Sequence, residues 1–134
     1  MRRHITVLLG AIALGTLGIV GPGSSAIADT SAETAAVERF WVFEGDNFHD
    51  GAKSYTGNDR NFENDEWDNT SRSVSDGTSS VINNTSHYVT LYANRAPNGQ
   101  TNCTGGAYVS IPWTQDGDLS NNGFDNRADC VIFS

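Results

Sequence analysis

The sequence is poor in cysteine, in basic residues and in long apolar segments. Its 134 residues include 2 cysteines, 1 methionine and 3 prolines, and 8 basic residues stand against 16 acidic ones, a net charge of −8 at neutral pH. A protein that binds nucleic acid through its phosphates needs a basic surface, so this charge argues against that class. It equally disfavours an anionic membrane surface. We therefore expect no nucleic-acid and no membrane partner, and most carboxylates serve solubility.

The one extended apolar segment lies near the N-terminus and is short for a membrane span. It runs from Ile5 to Val20, follows Arg2 and Arg3, and precedes a Gly-Pro-Gly-Ser-Ser break and the small residues Ala26–Ala28. A bilayer core needs about 20 apolar residues. This order of segments is typical of a secretory signal peptide. We predict a signal peptide over residues 1–28 and a secreted, extracellular protein.

The remainder has the length of a single domain. Removing the first 28 of 134 residues leaves 106, and the loss of two arginines leaves 6 basic against 16 acidic residues, a net charge of −10. Such a length corresponds to one domain. Residues 29–38 are small and polar, and we expect a flexible leader there. The folded domain is predicted over residues 39–134.

Signatures of catalysis are missing from the sequence. It has no HExxH, no G-x-S-x-G and no phosphate-binding loop, and His49 and His87 are isolated. Asp65 and Glu66 are adjacent, so on a strand they would face opposite sides and could not act on one bond. We predict that the protein is not an enzyme and has no catalytic residues.

A sugar site lined by tryptophan is an alternative small-molecule function. Tryptophans at these spacings more often belong to the core or rim of a domain, because their large apolar surface favours burial. The three tryptophans are Trp41, Trp67 and Trp113.

The two cysteines, Cys103 and Cys130, predict a disulfide. In an exported chain an even pair of cysteines is typical of a structural bridge. Two cysteines without a nearby histidine pair make a poor zinc site, and an oxidised pair offers no thiolate nucleophile. The bridge would close an interval of 27 residues. In the chain-entropy description this closure contributes about 3.5 kcal/mol.

Short apolar bursts separated by Gly, Asn and Asp predict an all-β fold. Two of these bursts alternate with a period of two, and all are rich in Val, Ile, Tyr, Phe and Thr, which favour strands. We expect a sandwich or barrel, with the disulfide as a local staple. The bursts are Phe40–Phe43, Ser79–Ile82, Tyr88–Tyr92, Ala107–Trp113 and Cys130–Phe133.

One phrase of the sequence occurs twice. Residues 61–74 (NFENDEWDNTSRSV) align without gaps on residues 118–131 (DLSNNGFDNRADCV), and each copy follows an apolar burst that enters a turn. Both copies carry an aromatic residue, Asp, Asn and, five residues after the Asn, Val. A doubled unit within about 100 residues indicates two similar supersecondary units packed face to face.

The doubled phrase resembles the βγ-crystallin Greek-key motif. In that motif an aromatic residue and a turn are followed by Asp/Asn, Asp/Asn, two variable residues, Ser/Thr and Ser. The resemblance covers about Phe40 to Phe133 and implies two Greek-key motifs packed as a βγ-crystallin-like sandwich. Small secreted bacterial proteins of this kind are similar to the crystallin-like metalloproteinase inhibitors of actinobacteria. The sequence departs from the motif at its fifth position, which is Arg72 in one copy and Asp129 in the other.

The resemblance also implies a place for calcium. It would combine Asp125, the carbonyl of Arg127 and Asp129 with Glu44 from the turn of the partner unit, an oxygen-rich set suited to calcium. We expect one weak site, since Arg72 at the equivalent position of the other copy would repel the ion. In the alternative interpretation the Asp and Asn side chains only stabilise their own turns, and Arg72 pairs with Asp129.

A loop in the second unit, which contains both cysteines, is the predicted binding element. The connection from Arg95 to Thr114 is the longest in the domain and is anchored by Cys103. An anchored, extended loop is how many protein inhibitors present a reactive segment. With the resemblance, this predicts a monomeric inhibitor of an extracellular metalloproteinase. The predicted inhibitory residues are Asn98, Gly99, Gln100 and Thr101.

Two other functions compete with this one. The first is a calcium-binding crystallin module with a structural or stress role, and the more distant is a toxin or cell-surface ligand. Dependence on calcium would favour the module, and tight association with a thermolysin-like enzyme would favour the inhibitor.

Overall fold

The computed structural model describes residues 35–98 and 100–134, which form two antiparallel sheets. The predicted signal peptide and most of the leader lie outside the described residues, and residues 35–38 have no regular structure. No helix in the described part of the chain has the length and apolarity to cross a membrane. The strands are β1 Arg39–Phe43, β2 Ala52–Tyr55, β3 Ser80–Asn84, β4 Val89–Asn94, β5 Thr104–Ser110, β6 Gln115–Asp116 and β7 Cys130–Phe133. Short 3₁₀ turns occupy Asp46–Phe48, Phe62–Asn64 and Leu119–Asn122.

The domain has two halves, β1–β3 and β4–β7, and each contributes a segment to the sheet of the other. The first sheet has the order β2-β1-β3-β6, and the second has the order β5-β4-β7. Strand β6 comes from the second half but pairs with β3, where Ile82 lies opposite Gln115. In return, Asp59 from the first half forms a bridge with Val131 of β7. This exchange interlocks the two halves, and the predicted all-β fold of two Greek-key units is confirmed.

The core lies between the two sheets and follows the period-two pattern of the strands. Phe40 and Val42 of β1 and Val89 and Leu91 of β4 are fully buried, as expected when alternate residues of a strand face one side. Among the tryptophans, only Trp67 belongs to this core. Other members of the core are Tyr55, Phe62, Val74, Val81, Leu119, Phe124, Ala128 and Val131.

The two copies of the repeated phrase fold in the same way. Each begins with a 3₁₀ turn capped by its first side chain: Asn61 accepts a hydrogen bond from the amide of Glu63, and Asp118 accepts one from the amide of Ser120. The Asn of each copy has a left-handed backbone, with φ of 63° at Asn69 and 54° at Asn126. Asn tolerates this conformation better than most residues, which explains why both copies keep it.

The predicted loop is shorter than expected. Residues 104–110 within the stretch from Arg95 to Thr114 form β5, so only residues 95–103 connect β4 to the next strand. Strand β5 begins with a bulge, because the pairing with β4 shifts between Tyr92 and Asn94 and Gly105 has a φ of 86°. Glycine adopts this left-handed conformation without the steric penalty of a Cβ atom.

Candidate functional site

The residues at the fifth position of the motif, Arg72 and Asp129, line two separate surface pockets. The first pocket, of about 470 Å³, contains Arg72. The second, of about 460 Å³, contains Asp129. Residues of the first pocket are Glu44, Asp50, Gly51, Asp68, Thr70 and Arg72. Residues of the second are Glu63, Asn94, Arg95, Pro97, Asn98 and Asp129.

In the first pocket the charge of Arg72 is neutralised within the site. Its guanidinium forms a two-pronged ion pair with Glu44, in which Nη1 donates to Oε1 and Nη2 donates to Oε2 at 2.6 Å. This fork geometry is the favoured way for arginine to bind a carboxylate. The sequence-based alternative in which Arg72 pairs with Asp129 is therefore corrected: the partner of Arg72 is Glu44. A cation would have to displace the guanidinium, so this donor set does not fit a metal ion.

In the second pocket the carboxylate of Asp129 is almost buried, with 9 % of the residue exposed. Its Oδ1 accepts a hydrogen bond of 2.7 Å from Ser75 Oγ, and its Oδ2 accepts a longer one of 3.4 Å from the amide of Arg95. The guanidinium of Arg95 forms an ion pair with Glu63 at the same pocket. A buried carboxylate needs such partners because desolvation disfavours its charge.

The structure does not bring Glu44 to the phrase that contains Asp129. Each phrase instead lies against the hairpin of its own half, through one backbone hydrogen bond of 2.9 Å: the amide of Asp68 donates to Ala52 O, and that of Asp129 donates to Tyr92 O. The expected grouping of Glu44 with the second phrase is thus corrected. These bonds join segments that are distant in sequence, and residue types alone do not reveal which hairpin a phrase will contact.

The other two residues predicted to bind calcium, Asp125 and Arg127, make side-chain contacts with neighbouring residues of their own phrase. Asp125 accepts a hydrogen bond of 2.9 Å from Asn126 Nδ2, which fits the alternative of a side chain that stabilises its own turn. The guanidinium of Arg127 donates to the carbonyl of Gly123 at 3.0 Å and lies 5.8 Å from the centre of the Phe124 ring. Among the described residues, no three or more His, Cys, Asp or Glu side chains form a group that could hold a metal ion.

For calcium, the second pocket offers a partial set of ligands. Asp129 is a hard oxygen donor, and Asn94 and Asn98 carry side-chain carbonyls, which match the preference of calcium for oxygen. The second carboxylate of the pocket, Glu63, is already paired with Arg95. Asp129 is therefore the one carboxylate of this pocket that has no ion-pair partner among the described residues.

The loop between β4 and β5 is held at three points. Cys103 is joined to Cys130 of β7, with 6.4 Å between their Cα atoms, so the predicted disulfide is confirmed. Arg60 holds the loop twice: its carbonyl accepts from the amide of Ala96 at 3.1 Å, and its Nε donates to the carbonyl of Thr101 at 2.7 Å.

Between these anchors the loop is exposed. Asn98, Gln100 and Thr101 are all accessible to solvent, and the amide of Gln100 closes a turn on the carbonyl of Pro97 at 2.9 Å. Gly99, the fourth predicted inhibitory residue, lies outside the described residues. Side-chain amides of Asn98 and Gln100 and the hydroxyl of Thr101 therefore lie at the surface.

Sequence reasoning missed Arg60, Ser75 and Glu63. Arg60 holds the loop, Ser75 binds the Asp129 carboxylate, and Glu63 pairs with Arg95 at the same pocket. All three lie in the first half of the chain yet serve a site of the second half. The bridge between Asp59 and Val131 brings Arg60 there. Backbone hydrogen bonds from Phe62 to Asp129 O and from Asp76 to Ala128 O place Glu63 and Ser75 beside the second phrase, and no motif in the sequence marks these contacts.

Two carboxyl groups near the phrases titrate differently. Burial, and then the neighbouring charge of Asp129, raise the pKa of Asp76 above its usual value. Hydrogen bonds from the side chain and amide of Ser120 lower the pKa of Asp118. The charged form is thus disfavoured at Asp76 and favoured at Asp118.

Comparison with known proteins supports the fold and goes no further. No protein-family description matches the sequence, and no curated protein matches it. A solved structure from work on the evolution of the eye-lens βγ-crystallin domain fold is 16% identical, with a TM-score of 0.59 over 72% of this chain and 84% of that one. A βγ-crystallin from an archaeon is also 16% identical, with a TM-score of 0.55 over 74% of this chain and 100% of that one. At such low identity the likeness shows architecture alone, and this chain has a βγ-crystallin-like Greek-key fold.

Proposed function

We propose that this protein is a secreted, non-enzymatic binding protein that inhibits an extracellular metalloproteinase through the loop between β4 and β5. The observation that carries the proposal is the anchoring of this loop. A disulfide holds one end of the loop. Arg60 holds its flanks by accepting a hydrogen bond from the amide of Ala96 and donating one to Thr101 O, while Asn98, Gln100 and Thr101 remain exposed.

The anchors matter because they lower the entropic cost of binding. A flexible loop loses conformational freedom when it docks, at about 0.5–1.5 kcal/mol for each ordered side chain. A loop already held by the fold loses less, and the difference increases affinity. The metalloproteinase class rests on the resemblance to the actinobacterial inhibitors, because the exposed amides and hydroxyl of the loop do not select a protease by charge.

The proposal is tested by titrating a thermolysin-like metalloproteinase with the mature protein. We expect the wild type to inhibit and a triple variant, Asn98→Gly, Gln100→Ser and Thr101→Gly, to lose at least about tenfold in affinity while keeping its melting temperature. The matched control replaces Thr56 and Ser71 by glycine, since both are exposed residues of other loops.

A further variant, Arg60→Ala, separates presentation from contact. It leaves the tip unchanged but removes the hydrogen bond to Thr101 O. We expect weaker inhibition with the same fold. No inhibition by the wild type would refute the proposed function, and equal inhibition by the wild type and the triple variant would remove the loop from it.

A calcium-binding role is the second candidate. It is favoured by the nearly buried carboxylate of Asp129, which lines a pocket together with the side-chain carbonyls of Asn94 and Asn98. With a single unpaired carboxylate, we expect a dissociation constant of about 10⁻⁴ M, as in extracellular modules.

The melting temperature in millimolar calcium tests this candidate, since an ion that binds only the folded state stabilises it. We expect calcium to raise the melting temperature of the wild type and to leave that of Asp129→Lys unchanged. The control Asp118→Asn should show the same increase as the wild type. Arg72→Ser would release Glu44 and add a second, weaker response. Identical responses of wild type and Asp129→Lys would show that no ion binds at Asp129.

A further inference from the structure

The carboxylate of Asp129 is bound at both of its oxygens by different parts of the chain. Oδ1 accepts a hydrogen bond of 2.7 Å from Ser75 Oγ, which belongs to the first half. Oδ2 accepts one of 3.4 Å from the amide of Arg95, the first residue of the loop between β4 and β5. The charge of a carboxylate strengthens such bonds. The side chain therefore links the start of the loop to the first half of the domain.

This link lies where the backbone pairing of β4 ends. The register of β4 with β7 runs only to Tyr92, opposite Cys130, and the pairing of β4 with β5 shifts between Tyr92 and Asn94. A bulge of this kind interrupts the ladder of backbone hydrogen bonds. Asp129, which precedes Cys130, donates its amide to Tyr92 O at 2.9 Å and binds the amide of Arg95 with its side chain. It thus holds the chain on both sides of the bulge.

Asp129 is itself fixed by its surroundings. Besides the bond from its amide to Tyr92 O, its carbonyl accepts a hydrogen bond of 3.1 Å from the amide of Phe62. The next residue, Cys130, is fully buried and forms the disulfide with Cys103. A side chain that is locked by packing and hydrogen bonds can orient a neighbouring segment.

The equivalent residue of the first half has an equivalent contact. Arg72 occupies the same position of the motif, and its guanidinium binds Glu44, which directly follows β1. Arg95, in turn, directly follows β4. In each half the residue at the fifth position of the motif binds the segment that leaves the neighbouring strand, through an ion pair in one half and through a backbone amide in the other. This agreement between two different side chains indicates a positioning role.

We propose that Asp129 is a positioning residue of the loop, whose carboxylate holds Arg95 and so fixes the direction in which residues 96–98 leave β4. The next amide, that of Ala96, is held by Arg60 O, so two consecutive amides are fixed at the start of the loop. This role gives the burial of Asp129 a reason that requires no metal ion. It concerns the free protein, and only its effect on inhibition rests on the proposed function.

Two substitutions at Asp129 separate its hydrogen bonds from its charge. Asparagine has the same size, and its Oδ1 can accept from the amide of Arg95 while its Nδ2 donates to Ser75 Oγ. Serine is the usual residue of the resembled motif at this position, so the phrase should accommodate it, but one short hydroxyl does not replace two carboxylate oxygens. Asp129→Asn should therefore keep the loop ordered, and Asp129→Ser should not.

Hydrogen exchange of the free mature protein tests the proposal. In Asp129→Ser we expect the amides of Arg95, Ala96 and Gln100 to exchange at least about fivefold faster than in the wild type, and in Asp129→Asn at the wild-type rate. The amide of Gln100 is informative because its bond to Pro97 O does not involve Asp129. Its faster exchange would show that order in the exposed part of the loop depends on the start of the loop.

Two controls distinguish positioning from a general loss of stability. Asp118→Ala removes a carboxylate that likewise accepts from a hydroxyl and an amide, both of Ser120, but caps a 3₁₀ turn. It should leave the exchange of the loop amides unchanged. The amide of Ser79, which donates to Phe43 O in the first half, should stay protected in every variant.

Inhibition of the metalloproteinase provides the functional measurement. Asp129→Ser should raise the inhibition constant at least about fivefold although the exposed loop residues are unchanged, and Asp129→Asn should inhibit as the wild type does. If the wild type does not inhibit, the proposed function fails, while hydrogen exchange still decides this inference. Equal exchange of the loop amides in the wild type and Asp129→Ser, an equal loss of protection in both Asp129 variants, or faster exchange at Ser79 as well would overturn it.

Discussion

At the scale of single residues, two equivalent positions carry opposite charges, and each charge is stabilised by different contacts. Arg72 and Asp129 occupy the same position of the repeated phrase. Arg72 is exposed and pairs with a carboxylate, Glu44. Asp129 is nearly buried and is held by the hydroxyl of Ser75 and the amide of Arg95. The two phrases therefore have a similar backbone conformation, while the side chains of their pockets differ in charge and in hydrogen bonding.

Asp76 and Asp118 provide a matched test of how these turns use charge. The pKa of Asp76 is raised, so its contribution to stability is present below pH of about 4 and is lost as pH rises through the folded-state value. Asp76 has a φ of 51°, a conformation that Asn tolerates. We expect Asp76→Asn to raise the urea midpoint at pH 7, and the gain to vanish in acid.

Asp118→Asn should have the opposite effect. Its lowered pKa means that the carboxylate adds stability above its unfolded-state value, and that this stability is lost as pH falls. The substitution should lower the urea midpoint at pH 7 and have little effect in acid. If both variants shifted the midpoint in the same direction, these charges would not control the stability of the turns.

At the scale of elements, the disulfide and the end of β4 define the loop. Cys130 is the first residue of β7 and Cys103 directly precedes β5, so the bridge ties the two strands that flank β4. The amide of Asp129 adds a bond to Tyr92 O at the end of the same hairpin. The two ends of the loop therefore leave strands that are joined to each other by a covalent bond and by backbone hydrogen bonds.

Replacing both cysteines by alanine tests the contribution of the bridge. We expect the free energy of unfolding to fall by about 3.5 kcal/mol, because the unfolded chain regains the entropy of a 27-residue loop. Urea unfolding of the wild type with and without reductant provides the control, and the reduced wild type should behave as the double variant. An unchanged midpoint in both would show that packing alone holds the loop.

At the scale of the whole molecule, the exchange of segments makes the two halves interdependent. Strand β6 completes the sheet of the first half, and Asp59 covers the edge of the second. Each half also holds a tyrosine hydrogen-bonded to a carboxylate: Tyr55 to Asp65 at 2.8 Å and Tyr108 to Asp116 at 3.1 Å. Burial first, and then these carboxylates, raise the pKa of both tyrosines.

The raised pKa values of Tyr55 and Tyr108 predict that the protein loses stability in alkali. A raised pKa means that their contribution is complete below the unfolded value of about 10 and is lost as pH rises above it, because the unfolded chain releases protons that the native one retains. We expect stability to fall steeply above that pH, and Tyr55→Phe and Tyr108→Phe each to reduce the slope. A slope equal to that of the wild type in both variants would contradict the prediction.

The sequence by itself determined the features that depend on local pattern. Alternating apolar residues identified the strands, the paired cysteines identified the bridge, and the repeated Asp-Asn phrase identified two equivalent units. Such features follow from which side chains must be buried and which backbones can turn, and neighbouring residues are enough to show both.

The tertiary structure alone decided which distant segments meet. Glu44 lies with Arg72 and not with Asp129, because backbone bonds such as the one between Asp68 and Ala52 place each phrase on the hairpin of its own half. Conversely, Arg60 and Ser75 contact the second half, because the bridge at Asp59 and the backbone bond from Asp76 to Ala128 O place them there. These contacts depend on the pairing of strands far apart in the chain, and no local pattern encodes that pairing.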